Sequence, residues 1–283
     1  MRKIIELIMK IVFLLSACIS VLAVAVICYF LFSEGLPAIA EIGPGNFLGG
    51  TLWKPLEGLF GILPMIIGSI YVTAGAILIG VPIGLLCAIF MAKFCPAKLY
   101  RFLKPAIDLL AGIPSIVYGF FGLVVIVPVM QVLTGTSGKG VLTASIMLGI
   151  MILPTIISVS ESSLRAVPES YYEGSLALGA THERSVFFAV LPAAKSGIMA
   201  GVILGIGRAI GETMAVMMVS GNAPNMPDLF QSVRFLTTAV ASEMAYSGGL
   251  QQQALFSIAL VLFLFIMLIN AALNAFLKGS KED

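Results

Sequence analysis

Charged residues are scarce in this 283-residue sequence, which has 16 Lys and Arg and 14 Asp and Glu, together 11% of the chain. Soluble domains carry about 25% charged residues, so the share is less than half of the usual one. Hydrophobic residues make up 59% of the chain, and the mean hydropathy is +1.08. So much apolar surface does not fit inside one globular core, because a soluble protein must cover its surface with polar side chains. The sequence therefore predicts an integral membrane protein.

Residues that ligate metals or bind nucleotides are also few. The single histidine, His182, excludes a centre built from several histidines. The four cysteines lie in or beside apolar runs without a Cys-x-x-Cys spacing, so we interpret them as small buried hydrophobic residues. No phosphate loop of the form Gly-x4-Gly-Lys-Ser/Thr occurs. We predict that the chain is not an enzyme and has no metal site, no cofactor and no nucleic-acid partner, so that any ATP is bound by a separate subunit.

Long apolar runs are abundant instead. Six windows of about 20 residues are long enough to cross ~30 Å of hydrocarbon as helices. They are Ile11–Phe32, Ile62–Phe90, Ile107–Leu133, Val141–Ser160, Ile198–Ser220 and Ala254–Leu277. Prolines in the second and third windows predict tilted or kinked helices. We predict an all-α polytopic membrane protein with six transmembrane helices.

The first apolar run follows basic residues, as a signal peptide does, and Leu15–Cys18 resembles a lipoprotein cleavage site. A lipoprotein turns polar after its cysteine, whereas this sequence stays apolar from Ile19 to Phe32. We favour an uncleaved first helix and keep cleavage as the alternative.

The basic residues between the spans are distributed asymmetrically. With a cytoplasmic N-terminus, twelve of them fall in inner segments and three, Lys54, Lys139 and Arg234, in outer segments. Cytoplasmic loops are enriched in Lys and Arg, so both termini are predicted to be cytoplasmic. The chain then divides into residues 1–60, a helix with an outer loop, and residues 61–283, a core of five helices with a cytoplasmic loop at 161–197.

The loop at 161–197 is predicted to contain two short helices. The first begins at Pro168 and ends before Gly179. Thr181 suits the N-cap of the second, which ends at Leu191-Pro192. A helical loop of mixed charge on so hydrophobic a protein indicates a docking surface for a soluble partner. An amphipathic hairpin on the membrane surface is the alternative.

Two ionisable residues fall inside the fifth predicted span. Arg208 lies eleven residues after Gly197, about 16 Å along a helix and near the bilayer midplane. Glu212 follows at i+4 on the same predicted helix face. A charge at this depth costs at least ~2.5 kcal/mol, so it rarely lacks a role. We interpret Arg208 as a cation that attracts an anion along a polar path and Glu212 as its partial neutraliser. A buried ion pair that fixes packing is the alternative.

Gly112, Pro114 and Ser115 predict a local opening of the third span. Pro114 removes one helical hydrogen bond, and the small residues beside it leave room for backbone or water. An opened helix would expose backbone dipoles to a passing anion, and a packing kink is the alternative.

Glycines recur every four residues in the fifth span, at Gly197, Gly201 and Gly205, with Gly207 and Gly211 on a neighbouring strip. Small residues at this spacing let two helices approach closely. We predict that they serve helix packing.

Three segments resemble a known family. The spacing Glu173-Gly174-Ser175-x3-Gly179-x9-Ala189-x-Leu191-Pro192 resembles the Glu-Ala-Ala-x3-Gly-x9-Ile-x-Leu-Pro pattern of the EAA loop in ABC-importer permeases, with both alanines and the isoleucine replaced. The runs Leu110–Gly122 and Gly207–Val216 closely resemble phosphate-importer permeases of the PstC type. The similarity extends from about Gly61 to the C-terminus.

This resemblance implies a type I ABC importer permease fold and the role of membrane-spanning subunit in an ATP-driven phosphate importer of a prokaryotic plasma membrane. The implied partners are phosphate, membrane lipid, a PstA-like permease, two PstB-like ATPase subunits and an external PstS-like phosphate-binding protein. The loop residues implied to insert into the ATPase are Glu173, Gly174, Ser175, Gly179, Leu191 and Pro192. The residues implied or proposed for the phosphate path are Arg208, Glu212, Gly112, Pro114 and Ser115. A sulfate or molybdate permease, an ion-coupled carrier and a non-transporting scaffold stay as alternatives.

Overall fold

The structure, a computed structural model, describes residues 2–279 and consists of helices with one two-stranded antiparallel hairpin. The first part of the chain comprises α1 (Arg2–Ile42), α2 (Pro44–Gly49), β1 (Trp53–Lys54), a 3-10 turn (Pro55–Glu57), β2 (Leu59–Phe60) and α3 (Leu63–Ile89). The middle part comprises a π turn (Phe90–Phe94), α4 (Ala97–Ala111), α5 (Ser115–Phe121), a π turn (Gly122–Ile126), α6 (Val127–Thr134) and α7 (Val141–Arg165). The last part comprises α8 (Glu169–Ala177), α9 (His182–Ser185), a π turn (Val186–Val190), α10 (Leu191–Ala193), α11 (Lys195–Gly211), α12 (Met214–Ser220), α13 (Leu236–Glu243) and α14 (Gly249–Gly279). The predicted cytoplasmic C-terminus includes residues 280–283, which lie outside the described residues.

Five helical stretches are long and apolar enough to cross a membrane. They are Ile5–Ile42, Leu63–Phe94, Ser115–Thr134, Val141–Arg165 and Gly249–Ala272. A sixth candidate is the pair His182–Ala193 and Lys195–Gly211, whose two helices are bent by 71°. The count reaches the predicted six when the bent pair is taken as one span. Only its second helix, Lys195–Gly211, overlaps the predicted fifth span, Ile198–Ser220, because the first, His182–Ala193, falls in the predicted 161–197 loop.

Two of the predicted spans are not continuous helices: the third opens where Gly112, Pro114 and Ser115 predict it, whereas the break in the fifth was not predicted. The third, Ile107–Leu133, is interrupted between Ala111 and Ser115, and the apolar stretch begins only at Ser115. The fifth, Ile198–Ser220, is interrupted between Gly211 and Met214. Apolar composition reports the depth of a segment in the membrane but not whether its backbone stays helical, because protein-lined breaks are tolerated there.

The first helix is longer than predicted. It continues past the predicted end of the first span at Phe32 and through Pro37 to Ile42. Gly35 lies against α14, where a Cβ atom would come within 3.2 Å of the backbone of Phe256 and Ser257. This contact anchors the extended part of α1 to α14.

Helix α7 forms the centre of the bundle, packed between α3 and α11. Glycines on both neighbours allow this close approach. A Cβ atom on Gly80 of α3 would lie 2.7 Å from Ile152, and one on Gly205 of α11 would lie 2.8 Å from Ile156. The packing role predicted for the repeat that includes Gly205 is therefore confirmed.

The neighbouring glycine strip on α11 does not pack in this way. A Cβ atom on Gly207 or on Gly211 would meet no atom within 4 Å. The packing prediction for these two residues is wrong, and both border open space next to Arg208.

The two ends of α3 lie in different apolar clusters. Ile62 and Met65, at its start, pack with the hairpin residue Trp53 and with α13 and α14. Ile89 and Met91, at its other end, pack with residues of the 161–197 loop and of α4. The predicted inner and outer loops thus sit at opposite ends of the bundle.

Candidate functional site

Glu212 lies in the break between α11 and α12. Helix α11 ends at Gly211, and the Glu212 backbone is extended, with φ −71° and ψ 131°. The Glu212 Oε1 atom accepts a hydrogen bond from the Ala215 N–H at 3.0 Å, in the first turn of α12. Its carbonyl oxygen accepts a hydrogen bond from the Thr237 hydroxyl at 3.1 Å. Glu212 therefore starts α12 by satisfying an N–H group that has no partner within that helix.

This geometry corrects the prediction that Arg208 and Glu212 share one helix face. The i+4 relation requires a continuous helix, and the helix stops at Gly211, one residue before Glu212. Among the described residues, no ion pair within 4.0 Å joins the two side chains. The alternative of a buried ion pair that fixes packing is therefore not supported by the structure.

Arg208 occupies the last turn of α11 and is half-buried. Its Nη1 atom donates to the hydroxyl Oγ1 of Thr155 on α7 at 3.3 Å. No carboxylate of the described residues lies within 4.0 Å of the guanidinium. The flanking Gly207 and Gly211 have no atom of the described residues within 4 Å of a Cβ position, so the side of α11 next to Arg208 faces open space in this chain.

The predicted opening at Gly112 and Pro114 is present. Helix α4 ends at Ala111 and α5 starts at Ser115, with Pro114 as the residue before its first turn. The Leu110 carbonyl lies in the last turn of α4, and its oxygen accepts a hydrogen bond from the Tyr118 hydroxyl at 2.8 Å. This hydrogen bond joins α4 to α5 across the opening.

Tyr118 connects this opening with the surroundings of Arg208. It is buried in the central apolar cluster, which also contains Ala209 next to Arg208, and Ile113 of the opening packs against the same cluster. The structure thus brings Arg208, Tyr118 and the Gly112–Pro114 segment into one region, and it directs the Glu212 carboxylate to α12. Sequence reasoning missed Thr155 and Tyr118, because only the packing of separate helices places them beside Arg208.

The loop at 161–197 has the predicted two-helix form. Helices α8 and α9 are separated at Gly179, whose φ of +83° favours glycine, and the Gly179 N–H donates to the Leu176 carbonyl at 2.8 Å. The Thr181 hydroxyl caps α9 by accepting from the Arg184 N–H at 3.3 Å. The second helical run continues to Ala193, so its predicted end at Leu191-Pro192 is wrong.

A π turn explains the longer helix. The Leu191 N–H donates to the Val186 carbonyl, five residues earlier, and the Ala194 N–H then donates to the Val190 carbonyl at 3.0 Å. The helix thereby passes Pro192, which has no N–H to donate.

The loop is fastened to the end of α3. The His182 Nδ1 atom lies 2.7 Å from the Tyr172 hydroxyl, and the His182 ring packs edge-on against Phe94 with 4.7 Å between ring centroids. Lys93 Nζ lies 3.7 Å from a carboxylate oxygen of Glu169. The lone histidine of the chain is therefore a structural contact between the loop and the π turn that ends α3.

A buried carboxylate, Glu161, joins α7 to α4 near the loop. Its side chain is 3% exposed, accepts from the Tyr100 hydroxyl at 2.9 Å, and pairs with Arg165 and with Lys104, whose Nζ is 3.5 Å away. Lys104 also lies 3.2 Å from Asp108. The i+4 spacings of Glu161 with Arg165 and of Lys104 with Asp108 were the sequence signals for this cluster.

The pKa values of Tyr100 and Lys104, the members of the Glu161 cluster that lie on α4, are both raised. Burial raises the pKa of the Tyr100 hydroxyl, and its hydrogen bond to Glu161 raises it further. Burial acts to lower the pKa of Lys104, but Asp108 and Glu161 outweigh it, so the pKa is raised. Lys104 therefore keeps its charge throughout the physiological pH range.

Comparison with known families decides the class of protein. The family of binding-protein-dependent transport system inner membrane components matches residues 80–280, from the second half of α3 into α14. The chain belongs to this family.

Curated relatives extend the similarity over most of the chain. The permease is 40% identical to the probable ABC transporter permease protein YqgH of Bacillus subtilis over 271 residues, which cover 91% of this chain and 88% of the relative. It is 36% identical to the phosphate transport system permease protein PstC of Mesorhizobium japonicum, covering 85% and 80%. It is also 36% identical to PstC of Haemophilus influenzae, covering 80% and 78%. The resemblance to the PstC type is confirmed.

Solved structures show the same fold at lower identity. An inward-facing structure of the MetNI methionine ABC transporter superposes with a TM-score of 0.62 and 22% identity, over 81% of this chain and 99% of that one. A histidine-bound amino acid ABC transporter gives 0.55 and 17%, over 77% and 92%. The predicted type I importer permease fold is confirmed. The protein is a multi-pass membrane subunit of an ABC importer, and the ATPase is a separate subunit of that importer.

Proposed function

We propose that this permease carries phosphate in an ATP-driven importer and that Arg208 is the cation that draws phosphate through it. The observation that carries the proposal is the half-buried guanidinium, which has no carboxylate partner among the described residues and borders open space. An arginine inside a span is costly unless a counter-charge or water compensates it. A passing phosphate would supply that counter-charge during transport.

The relatives support phosphate as the cargo. Several are phosphate transport system permeases that align with most of this chain, as described above. Arginine suits this anion, because its planar guanidinium presents several N–H donors to phosphate oxygens. Gly112, Pro114 and Ser115 would contribute to the path by keeping the opened backbone next to the Arg208 region.

Glu212 has an indirect role in this scheme. Its carboxylate accepts a hydrogen bond from the Ala215 N–H at the start of α12, and it makes no ion pair with Arg208. We infer that Glu212 positions the break that ends α11 and thereby leaves Arg208 available to an anion. This replaces the predicted role of Glu212 as the neutraliser of Arg208.

The loop formed by α8, α9 and α10 is proposed as the contact with the ATPase. Glu173, Gly174 and Gly179 are exposed on it, and two large apolar side chains beside them are also exposed, Leu178 by 91% and Phe188 by 78%. Exposed apolar residues on a charged loop are typical of a protein interface. Contacts from the loop to Phe94 and Lys93 would pass the movement of the ATPase to α3.

Orientation and partners complete the proposal. In this proposal the loop end of the bundle and both termini would lie in the cytoplasm of a prokaryotic cell, in keeping with the basic residues at that end. The specific partners would be a PstA-like permease, two PstB-like ATPase subunits and an external PstS-like binding protein. The division into residues 1–60 and 61–283 stays a prediction.

Purification followed by transport tests this function. The chain is purified from its native membrane, the co-purifying subunits are identified by mass spectrometry, and the reconstituted complex is assayed for radiolabelled phosphate uptake. We expect an ATPase, a second permease and ATP-dependent uptake that excess sulfate does not inhibit. Equal transport of sulfate would contradict the substrate, and uptake without an ATPase would favour an ion-coupled carrier.

The contact with the ATPase has its own test. Glu173→Lys reverses the charge of an exposed residue on α8, so the variant should reach the membrane and assemble with less phosphate moved per ATP hydrolysed. Glu57→Lys, on the opposite end of the bundle, is the control for charge reversal. Unchanged coupling in Glu173→Lys would count against this role of the loop.

A further inference from the structure

A cleft lined by four basic side chains lies beside α4, at the end of the bundle that carries the 161–197 loop. Its volume is about 580 Å³, and its cations are Lys93, Arg101, Lys104 and Arg165. This volume falls within the range of pockets that hold small ligands. The transport path around Arg208 does not use this cleft, and of its cations only Lys93, through its pair with Glu169, takes part in the proposed ATPase contact.

The cleft keeps a positive charge after its internal ion pairs are counted. Lys104 and Arg165 share the buried Glu161, Lys104 also meets Asp108, and Lys93 pairs with an exposed carboxylate on α8. Arg101 is exposed, and no acidic side chain of the described residues lies within 4.0 Å of it. Four cations therefore face three carboxylates, and Arg101 is the cation available to a ligand.

Helix α4 has the composition of a helix that lies in the membrane interface. Its apolar residues Leu99, Phe102 and Leu109 share one face and are exposed by 42%, 73% and 74%. Arg101 lies about 100° around the helix from Phe102, whereas Lys98, four residues before Phe102, lies on the apolar face itself. Exposed Phe and Leu on one face with basic residues within and beside it are typical of helices that insert partly among lipid headgroups.

The position of the cleft along the chain agrees with headgroup depth. The candidate span that contains α3 ends at Phe94, and the cleft is lined by residues on both sides of that end, from Ala92 to Ala97. Side chains at the end of a span lie at the boundary between hydrocarbon and water. With Leu63–Phe94 as the membrane span, the cations of the cleft would lie at the level of lipid phosphates.

We propose that this cleft binds the phosphate group of an anionic phospholipid, with Arg101 as the principal contact. The chemistry of the site selects a phosphate-bearing anion, because four cations converge there. The exposed apolar face of α4 selects lipid over free phosphate, since the acyl chains would lie against Phe102 and Leu109. Basic pockets between helices on the cytoplasmic side bind anionic headgroups by this combination.

Lipid retention measured by native mass spectrometry tests the proposal. The full-length chain with its partner subunits is reconstituted in vesicles of phosphatidylethanolamine and phosphatidylglycerol, extracted gently, and its bound lipids are counted. We expect preferential retention of phosphatidylglycerol, reduced by Arg101→Gln by more than the roughly fivefold effect that any one basic residue near an anionic surface contributes. Lys98→Gln makes the same charge change on the same helix outside the cleft and should lose at most that roughly fivefold general effect.

Three results would overturn the proposal. Equal phosphatidylglycerol retention by Arg101→Gln would show that the cleft holds no lipid phosphate. Equal losses in Arg101→Gln and Lys98→Gln would show only a general surface attraction. Binding of radiolabelled inorganic phosphate to the delipidated complex, abolished by Arg101→Gln, would assign the cleft to free phosphate instead.

Discussion

The left-handed turn at Gly179 can be tested by substituting alanine there and, as a control, at Gly174, five residues earlier in the same loop. Gly179 has a φ of +83°, whereas Gly174 lies inside α8, and a Cβ atom at either position would meet no atom within 4 Å. Substitution by alanine therefore alters backbone preference without a steric clash. The two variants should act in opposite directions.

The magnitudes follow from the backbone conformations. An alanine at Gly179 must adopt the left-handed region, which costs about 1–2 kcal/mol for a residue with a Cβ atom. An alanine at Gly174 removes a flexible residue from a helix and should stabilise it by about 0.5–1 kcal/mol. Because 1.4 kcal/mol is a factor of ten, Gly179→Ala should raise the open population of the loop about 5–30-fold.

Amide hydrogen exchange measures how often the loop opens, and transport assays measure how well ATP hydrolysis is coupled to uptake. Exchange across residues 169–193 should be faster in Gly179→Ala and unchanged or slower in Gly174→Ala. Phosphate taken up per ATP hydrolysed by the reconstituted importer should fall in Gly179→Ala only. Gly179→Pro is the stronger form of the change, because a proline fixes φ near −65° and excludes +83° altogether.

Two outcomes would refute this reasoning. Equal exchange in the two alanine variants would mean that the turn does not depend on the left-handed residue. Faster exchange in Gly179→Ala with unchanged uptake per ATP would mean that the loop geometry plays no part in coupling.

Two further predictions concern stability. Glu161→Gln should lower the unfolding free energy of the detergent-solubilised protein by about 2 kcal/mol, because a nearly buried carboxylate with charged partners is lost. The control Glu57→Gln, at a side chain that is 58% exposed, should change the unfolding free energy little. Equal midpoints of denaturation in the two variants would contradict this. Gly205→Val should prevent stable folding, because the valine side chain would collide with Ile156 of α7. The control Gly207→Ala should purify normally, because no atom of the described residues lies within 4 Å of the added Cβ atom. Identical size-exclusion profiles of the two variants would show that the packing of α11 against α7 is dispensable.

Much of the architecture could be predicted from residue patterns. The length of the apolar runs was sufficient to predict the second and fourth spans, because a segment surrounded by lipid and protein has few polar residues whatever its neighbours are. Gly179, Thr181 and Pro168 marked the turn and helix starts of the loop, since capping depends on nearby residues only. Arg208 was conspicuous as a charge within an apolar run.

The details of the site depend on contacts that local patterns do not encode. Nothing near Arg208 in the sequence indicates Thr155 or Tyr118, because they come from other helices. The end of α11 was missed because the segment contains no proline, and the Glu212 carboxylate that starts α12 could equally have continued the helix. The Glu161 cluster likewise depends on the position of α4 against α7.

Uptake by an Arg208→Gln variant of the reconstituted importer tests the central claim most directly. Arg208 has one hydrogen bond and no ion pair among the described residues, so its replacement should leave assembly with the partner subunits intact. Phosphate uptake should be abolished in Arg208→Gln and partly kept in Arg208→Lys, which retains the charge. Phosphate uptake at the unaltered rate by the assembled Arg208→Gln complex would contradict it.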